Sequence, residues 1–147
     1  MNEAVNKLEQ LLETGLEYIS KCSESEFTKK KNLKKWSKKE ILGHLIDSGI
    51  NNLERFTEIQ FVDKPYKLRQ YNQNESVIVN DYQNAETSEI IGFWISINNR
   101  IKSIMKLQTE KTLNYKIELD ENNLSDLKFL MNDYVKHLEH HLNQIIK

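Results

Sequence analysis

The chain has 147 residues, 21 basic and 22 acidic side chains, and a formal net charge of -1. That length fits a single domain over residues 1–147, with a core that needs neither disulfide nor structural metal. The near-neutral balance removes the electrostatic case for nucleic acid or a membrane surface as the main partner. One Pro and four Gly are too few breakers for an all-β domain, so the chain should be mostly helical.

Residues 3–22 carry Val5, Leu8, Leu12, Leu16 and Ile19 at spacings of three and four, one apolar face of a first helix. Cys22, the only cysteine, can make neither an intrachain disulfide nor a thiolate metal cage, which suits a reducing cytoplasm. The start of the chain is polar and acidic, without an apolar signal core. The longest apolar-rich run, residues 90–97, falls far short of the roughly 20 residues that span a bilayer. A cytoplasmic location is expected. Residues 23–35 are polar. Seven lysines between positions 29 and 39 read as a solvated connector in preference to a phosphate-binding patch.

A second helix should run over residues 38–61. Ser37 and Glu40 have the spacing of a capping box, and Trp36 with Ile41 fits a hydrophobic staple. Leu42, Leu45, Gly49, Leu53 and Phe56 trace its apolar stripe. Beside it lies a second stripe of Ile41, His44, Ser48, Asn51 and Arg55, whose small and polar side chains read as a pocket wall. Residues 62–72 hold Pro65 and read as an extended connection. Residues 73–83 have helical spacing in Val77, Val79 and Tyr82, a short extra helix. A third helix over residues 88–107 is the most apolar and should be the most buried, with Ile91, Trp94, Ile101 and Met105 on one face. Residues 109–123 form a connector in which "NYKIEL" alternates and could be extended. The last helix is expected to open at Asn123 and run to the C-terminus. Four long amphipathic helices make a bundle, and the long second connection leaves its order open.

In the last helix Leu127, Met131, Tyr134, Leu138, His141 and Ile145 form a seam. His137 lies one turn before His141, rotated only ~40° from it, whereas His140 turns ~100° away toward solvent. Two histidines at i and i+4 can chelate one metal ion. His44 is the only other histidine and could complete a set of three with an open coordination position. Packing histidines in a core is the competing reading, and spacing leaves the two evenly matched.

The stretches "WSKKEILGHLIDSGINNLERF" and "DYVKHLEHHLNQI", with "YNQNESVIVNDY" between them, resemble the DinB-like family of small metal-binding bundles, which includes the bacillithiol transferases. The resemblance implies His44, His137 and His141 as ligands of a divalent transition metal, zinc or nickel first among them. It also implies an up-down-down-up four-helix bundle and frequent homodimers. For some relatives it implies transfer of a low-molecular-weight thiol to a small electrophile.

Around such a site Asp47 and Asp133 are candidates to hold a ligand's second nitrogen. Ser48, Asn51, Arg55 and Tyr134 are candidates to line a substrate pocket. The expected function is a metal-dependent thiol S-transferase or hydrolase acting on a small molecule. The rival is a bundle in which metal serves structure or sensing.

Overall fold

The computed structural model describes residues 1–147. Four long helices form the body: α1 (Asn2–Lys21), α3 (Lys38–Glu58), α5 (Thr87–Lys106) and α7 (Leu127–Ile146). Short helices α2 (Glu24–Thr28), α4 (Gln73–Val79) and α6 (Glu110–Leu113) lie in the connections, with one 3₁₀ turn at Tyr82–Asn84. The expected extra helix is thus α4 followed by that turn. Residues 23–35, read as a plain connector, contain α2, whose N-terminus Ser23 caps by accepting from Glu26 N.

Paired residues give the order of the long helices. Glu9 meets Lys102 and Gly15 faces Trp94, so α1 and α5 run antiparallel. Gly49 faces Ile97 and Gln60, just past α3, bonds to Gln108, so α3 and α5 run parallel. His44 meets His137 and Phe56 meets Tyr134, so α3 and α7 run antiparallel. The bundle is therefore up-down-down-up. Parallel neighbours α3 and α5 need a return along their full length, which residues 59–86 supply.

A three-stranded sheet that the sequence reading missed closes one end. β1 (Tyr66–Lys67) pairs in parallel with β2 (Lys116–Asp120), and β2 pairs antiparallel with β3 (Asn123–Asp126). "NYKIEL" is extended as its alternation implied. Asn123 does not cap the last helix; it lies in β3, where main-chain pairing with β2 outweighs a helix start. Asp126 is the cap instead and accepts from Phe129 N at 2.8 Å. Asn122 takes the left-handed conformation the tight β2–β3 turn requires.

α3, not α5, is the most buried helix. It touches α2, α4, α5, α7 and the 3₁₀ turn, and it buries Glu40, His44, Asp47, Ser48, Asn52 and Arg55 along with its apolar stripe. α5 leaves Phe93 exposed on its outer face. The capping box fixes where α3 begins: Ser37 Oγ accepts from Glu40 N and Glu40 accepts from Ser37 N, both at 3.1 Å. The seven lysines are only partly free, since Lys30, Lys38 and Lys39 pair with Glu40, Glu26 and Glu24.

Gly43, next to His44, lets the Tyr82 ring pack directly on the α3 backbone; a Cβ there would run into that ring. Gly43→Ala should therefore destabilise the fold by about 1–3 kcal/mol. Gly92→Ala, on α5 with nothing within 4 Å of the added carbon, should stabilise it by roughly 0.5–1 kcal/mol through helix propensity. Urea unfolding of the two variants checks the opposite signs.

Candidate metal centre

The antiparallel crossing of α3 and α7 brings together His44, His137 and His141. One ligand-capable nitrogen from each lies within 4.8 Å of the other two. His44 Nε2 and His137 Nε2 stand 3.2 Å apart. Ring centroids are 5.0 Å apart for His44–His137 and 4.5 Å for each of them with His141, all edge to face. His44 is fully buried, and His137 and His141 are half-buried. His140 is exposed, as its rotation implied.

The other ring nitrogens are held differently. His141 Nδ1 lies 2.9 Å from Gln144 Oε1, which fixes the proton on Nδ1 and frees the Nε2 lone pair. His137 Nδ1 lies 3.4 Å from Ser48 Oγ. His44 Nδ1 is buried without a partner, as is Asp47 Oδ2 one turn further along α3. The Trp36 ring stacks on His44 at 5.0 Å and 33°.

All three imidazoles are held neutral. Burial, then His141 and His137, lowers His44 from 6.5 to about 3. Burial, then His141 and His140, lowers His137 to about 4. His141 is lowered by burial, against the Gln144 hydrogen bond. Neutral imidazole is the form that binds metal.

This donor set fits a divalent ion. Zinc–nitrogen bonds of about 2.0–2.1 Å place ligand nitrogens roughly 3.0–3.4 Å apart. The 3.2 Å between His44 and His137 falls inside that interval. Three nitrogen donors leave at least one coordination position for another group.

The sequence matches the DinB superfamily over residues 7–145. The chain belongs to that superfamily. No curated protein matches it by sequence. Among solved structures, this DinB-superfamily chain is similar to YfiT from Bacillus subtilis, described as a probable metal-dependent hydrolase with an unusual four-helix bundle topology. The TM-score is 0.85 at 18% identity, covering 98% of this chain and 82% of YfiT. It is also similar to the mycothiol-dependent maleylpyruvate isomerase, with a TM-score of 0.74 at 11% identity, covering 98% of this chain and 60% of the isomerase. A point mutant of that isomerase gives a TM-score of 0.78 at 9% identity. At these identities the likeness is one of fold.

A cavity of about 160 Å³ adjoins His137. Ser48, Arg55, Asp133, Tyr134 and His137, all singled out in the sequence, line it. Asn51 does not: its amide bonds back to Asp47 O, and Asn52, one residue further round α3, takes its place. Tyr134 borders the cavity with its ring, but its hydroxyl donates to Asn98 Oδ1 at 2.7 Å. Asp47 makes no hydrogen bond to a histidine; its Oδ1 accepts from Tyr82 and Asn80 at 2.6 and 3.0 Å. Asp133 is exposed at the rim and makes no hydrogen bond to a histidine.

Sequence reasoning missed Trp36 as a partner of His44, Gln144 as a partner of His141, and Tyr71 and Gln70 as cavity walls. Gln144 was detectable from its i+3 spacing to His141. Tyr71 and Gln70 sit in an irregular connection and gave no periodic signal. Burial and then Glu26 push the Cys22 thiol up, which disfavours its thiolate.

The depressed histidines make the stability of the metal-free chain pH-dependent. Below about pH 6.5 the unfolded chain takes up protons that folded His44 and His137 refuse until about 3 and 4. Their contribution is present above about 6.5 and lost as pH falls toward those values. Urea midpoints of the metal-free protein should fall steeply over that window, and His44→Gln should flatten the fall.

Proposed function

We propose that this chain is a metal-dependent enzyme acting on a small molecule, with His44, His137 and His141 holding a divalent transition ion. The observation that carries the reading is the convergence of three neutral imidazoles, one of which, His137, also lines a polar cavity. A divalent ion bound there would lower the pKa of a thiol or water beside it.

Transfer of a low-molecular-weight thiol to a small electrophile is the favoured reaction. A thiol is the softer partner for zinc or nickel. The structural neighbour that is a thiol-dependent isomerase supports the choice. In the transfer, sulfur bonds to the electrophilic carbon, the leaving group departs with its electron pair, and the thiol proton goes to solvent.

The chain's own groups position and do not abstract. Burial raises Tyr71 and Tyr134 above their ordinary phenol values, so both stay protonated. Ser48 steadies the His137 ring, Gln144 orients His141, and Trp36 covers His44 from water. Without a resident general base, proton release falls to the open rim, where Asp133 is the one carboxylate.

Hydrolysis is the second reading, supported by the neighbour described as a probable metal-dependent hydrolase. It differs only in water taking the place of the thiol. No helix is long and apolar enough to cross a membrane, and a cytoplasmic location, where low-molecular-weight thiols stay reduced, belongs to the proposal. So does a homodimer, for which Ile50 on α3 and Phe93 on α5 offer exposed apolar side chains.

Tag-free protein should take up about one equivalent of zinc or nickel. His137→Ala should reduce that to below a tenth of an equivalent, while His140→Ala leaves it unchanged. Elemental analysis after dialysis reads both. Loaded wild-type protein should conjugate a thiol such as cysteine to monochlorobimane faster than the metal-free form. Uptake without any rate difference, accompanied by a large rise in melting temperature, favours a purely structural metal.

A further inference from the structure

α3 buries two cations, and they are treated differently. Lys39 pairs with Glu24 at 3.0 Å. Arg55, only 8% exposed, has no carboxylate partner. Its acidic neighbours are committed elsewhere: Glu54 pairs with Arg69, and Glu58 accepts from the Tyr66 hydroxyl at 2.7 Å. Asp133 lines the same cavity from α7 but is exposed and forms no ion pair with Arg55.

A guanidinium carries five N–H donors and does not lose its charge in a protein. One Arg55 nitrogen donates to Arg69 O at 2.6 Å, and another lies 3.5 Å from Asn52 Oδ1. The Tyr71 ring sits 5.6 Å from the guanidinium carbon. The Nε–H makes no hydrogen bond, and Arg55 lines the cavity. Leaving a buried charge unpaired is costly unless something pairs with it. The cavity that would admit that partner runs beside α7 from Leu130 to His137, about 10 Å along the axis.

We propose that Arg55 anchors a carboxylate of the substrate, in a cavity that also reaches His137 of the histidine centre and whose polar walls include Asn52, Gln70, Tyr71 and Gln73. The inference rests on the reading of that centre as the reacting end; the anchoring itself does not need the metal. One guanidinium, without a second cation and with Asp133 at the rim, suits a singly charged planar carboxylate better than a phosphate dianion. The substrate class is then a small carboxylic acid whose reacting atom lies several bonds from the carboxylate.

The test uses metal-free, ¹⁵N-labelled full-length protein titrated with butyrate, uncharged butyramide and inorganic phosphate. The Arg55 Nε–H resonance, identified by its absence in Arg55→Lys, is followed by NMR. Butyrate should shift it together with Asn52 and Tyr71, butyramide should not, and phosphate should bind more weakly. Arg55→Gln should weaken butyrate at least tenfold, and a merely structural Arg55 would show no such carboxylate dependence. Should Arg55→Gln not fold, Arg55→Lys, which keeps the charge but loses the fork, should weaken butyrate severalfold. Equal response to butyrate and butyramide, tighter phosphate binding, or unchanged affinity in the variants overturns the inference. Cobalt titration of the same samples reads the histidines separately. Absent cobalt binding with butyrate binding intact overturns the metal reading and leaves the carboxylate anchor standing.

Discussion

Everything about the site depends on α3 crossing α7 antiparallel with histidines at the crossing. His44 is completely buried there, and His137 approaches to 3.2 Å. Imidazoles packed this closely are poor company for protons, since each charge would be both desolvated and repelled. The bundle thus spends part of its core on a cluster that is neutral, rich in lone pairs and apt to bind a cation. Apolar residues of similar volume would pack with less cost, so the placement is hard to explain as core filling alone.

The topology serves that crossing. With α3 and α5 parallel, the chain must return along the bundle, and the returning segment supplies α4, the 3₁₀ turn and the irregular stretch near Tyr71. Tyr82 packs against Gly43 and ties down Asp47, which stiffens α3 beside His44. The small sheet brings Leu119 to the cavity, while the adjoining stretch contributes Leu68 and Gln70. The connections are therefore walls of the site as well as links between helices. Arg55, at the other end of the same wall, gives the cavity a polarity from cation to histidine.

The helices and the histidine set were legible because both rest on local periodicity. Ser37 and Glu40 announced the start of α3, and the i, i+4 relation of His137 and His141 put two imidazoles on one face before any tertiary contact was considered. Asn123 misled because a cap residue and a strand residue look alike when the deciding partner, β2, is paired through the main chain. The burial of α3 over α5 was hidden for a related reason: apolar content measures what a helix can bury, not how many neighbours surround it. Asn52 in place of Asn51 is one residue's rotation, about 100° round α3, and both positions border the same polar stripe. Tyr71 and Trp36 reach the site through loop geometry, which leaves no period in the sequence.

Membership in the DinB superfamily and the geometry of the crossing point the same way, to a metal centre with room for another ligand. X-ray absorption at the metal edge of protein loaded with one equivalent of zinc tests that claim most directly. Three imidazole nitrogens are expected at about 2.0–2.1 Å, with the remaining scatterer a light atom that is replaced by sulfur at about 2.3 Å when a thiol is added. A shell of oxygen donors without imidazole scattering, or a closed shell that added thiol leaves unchanged, would contradict it.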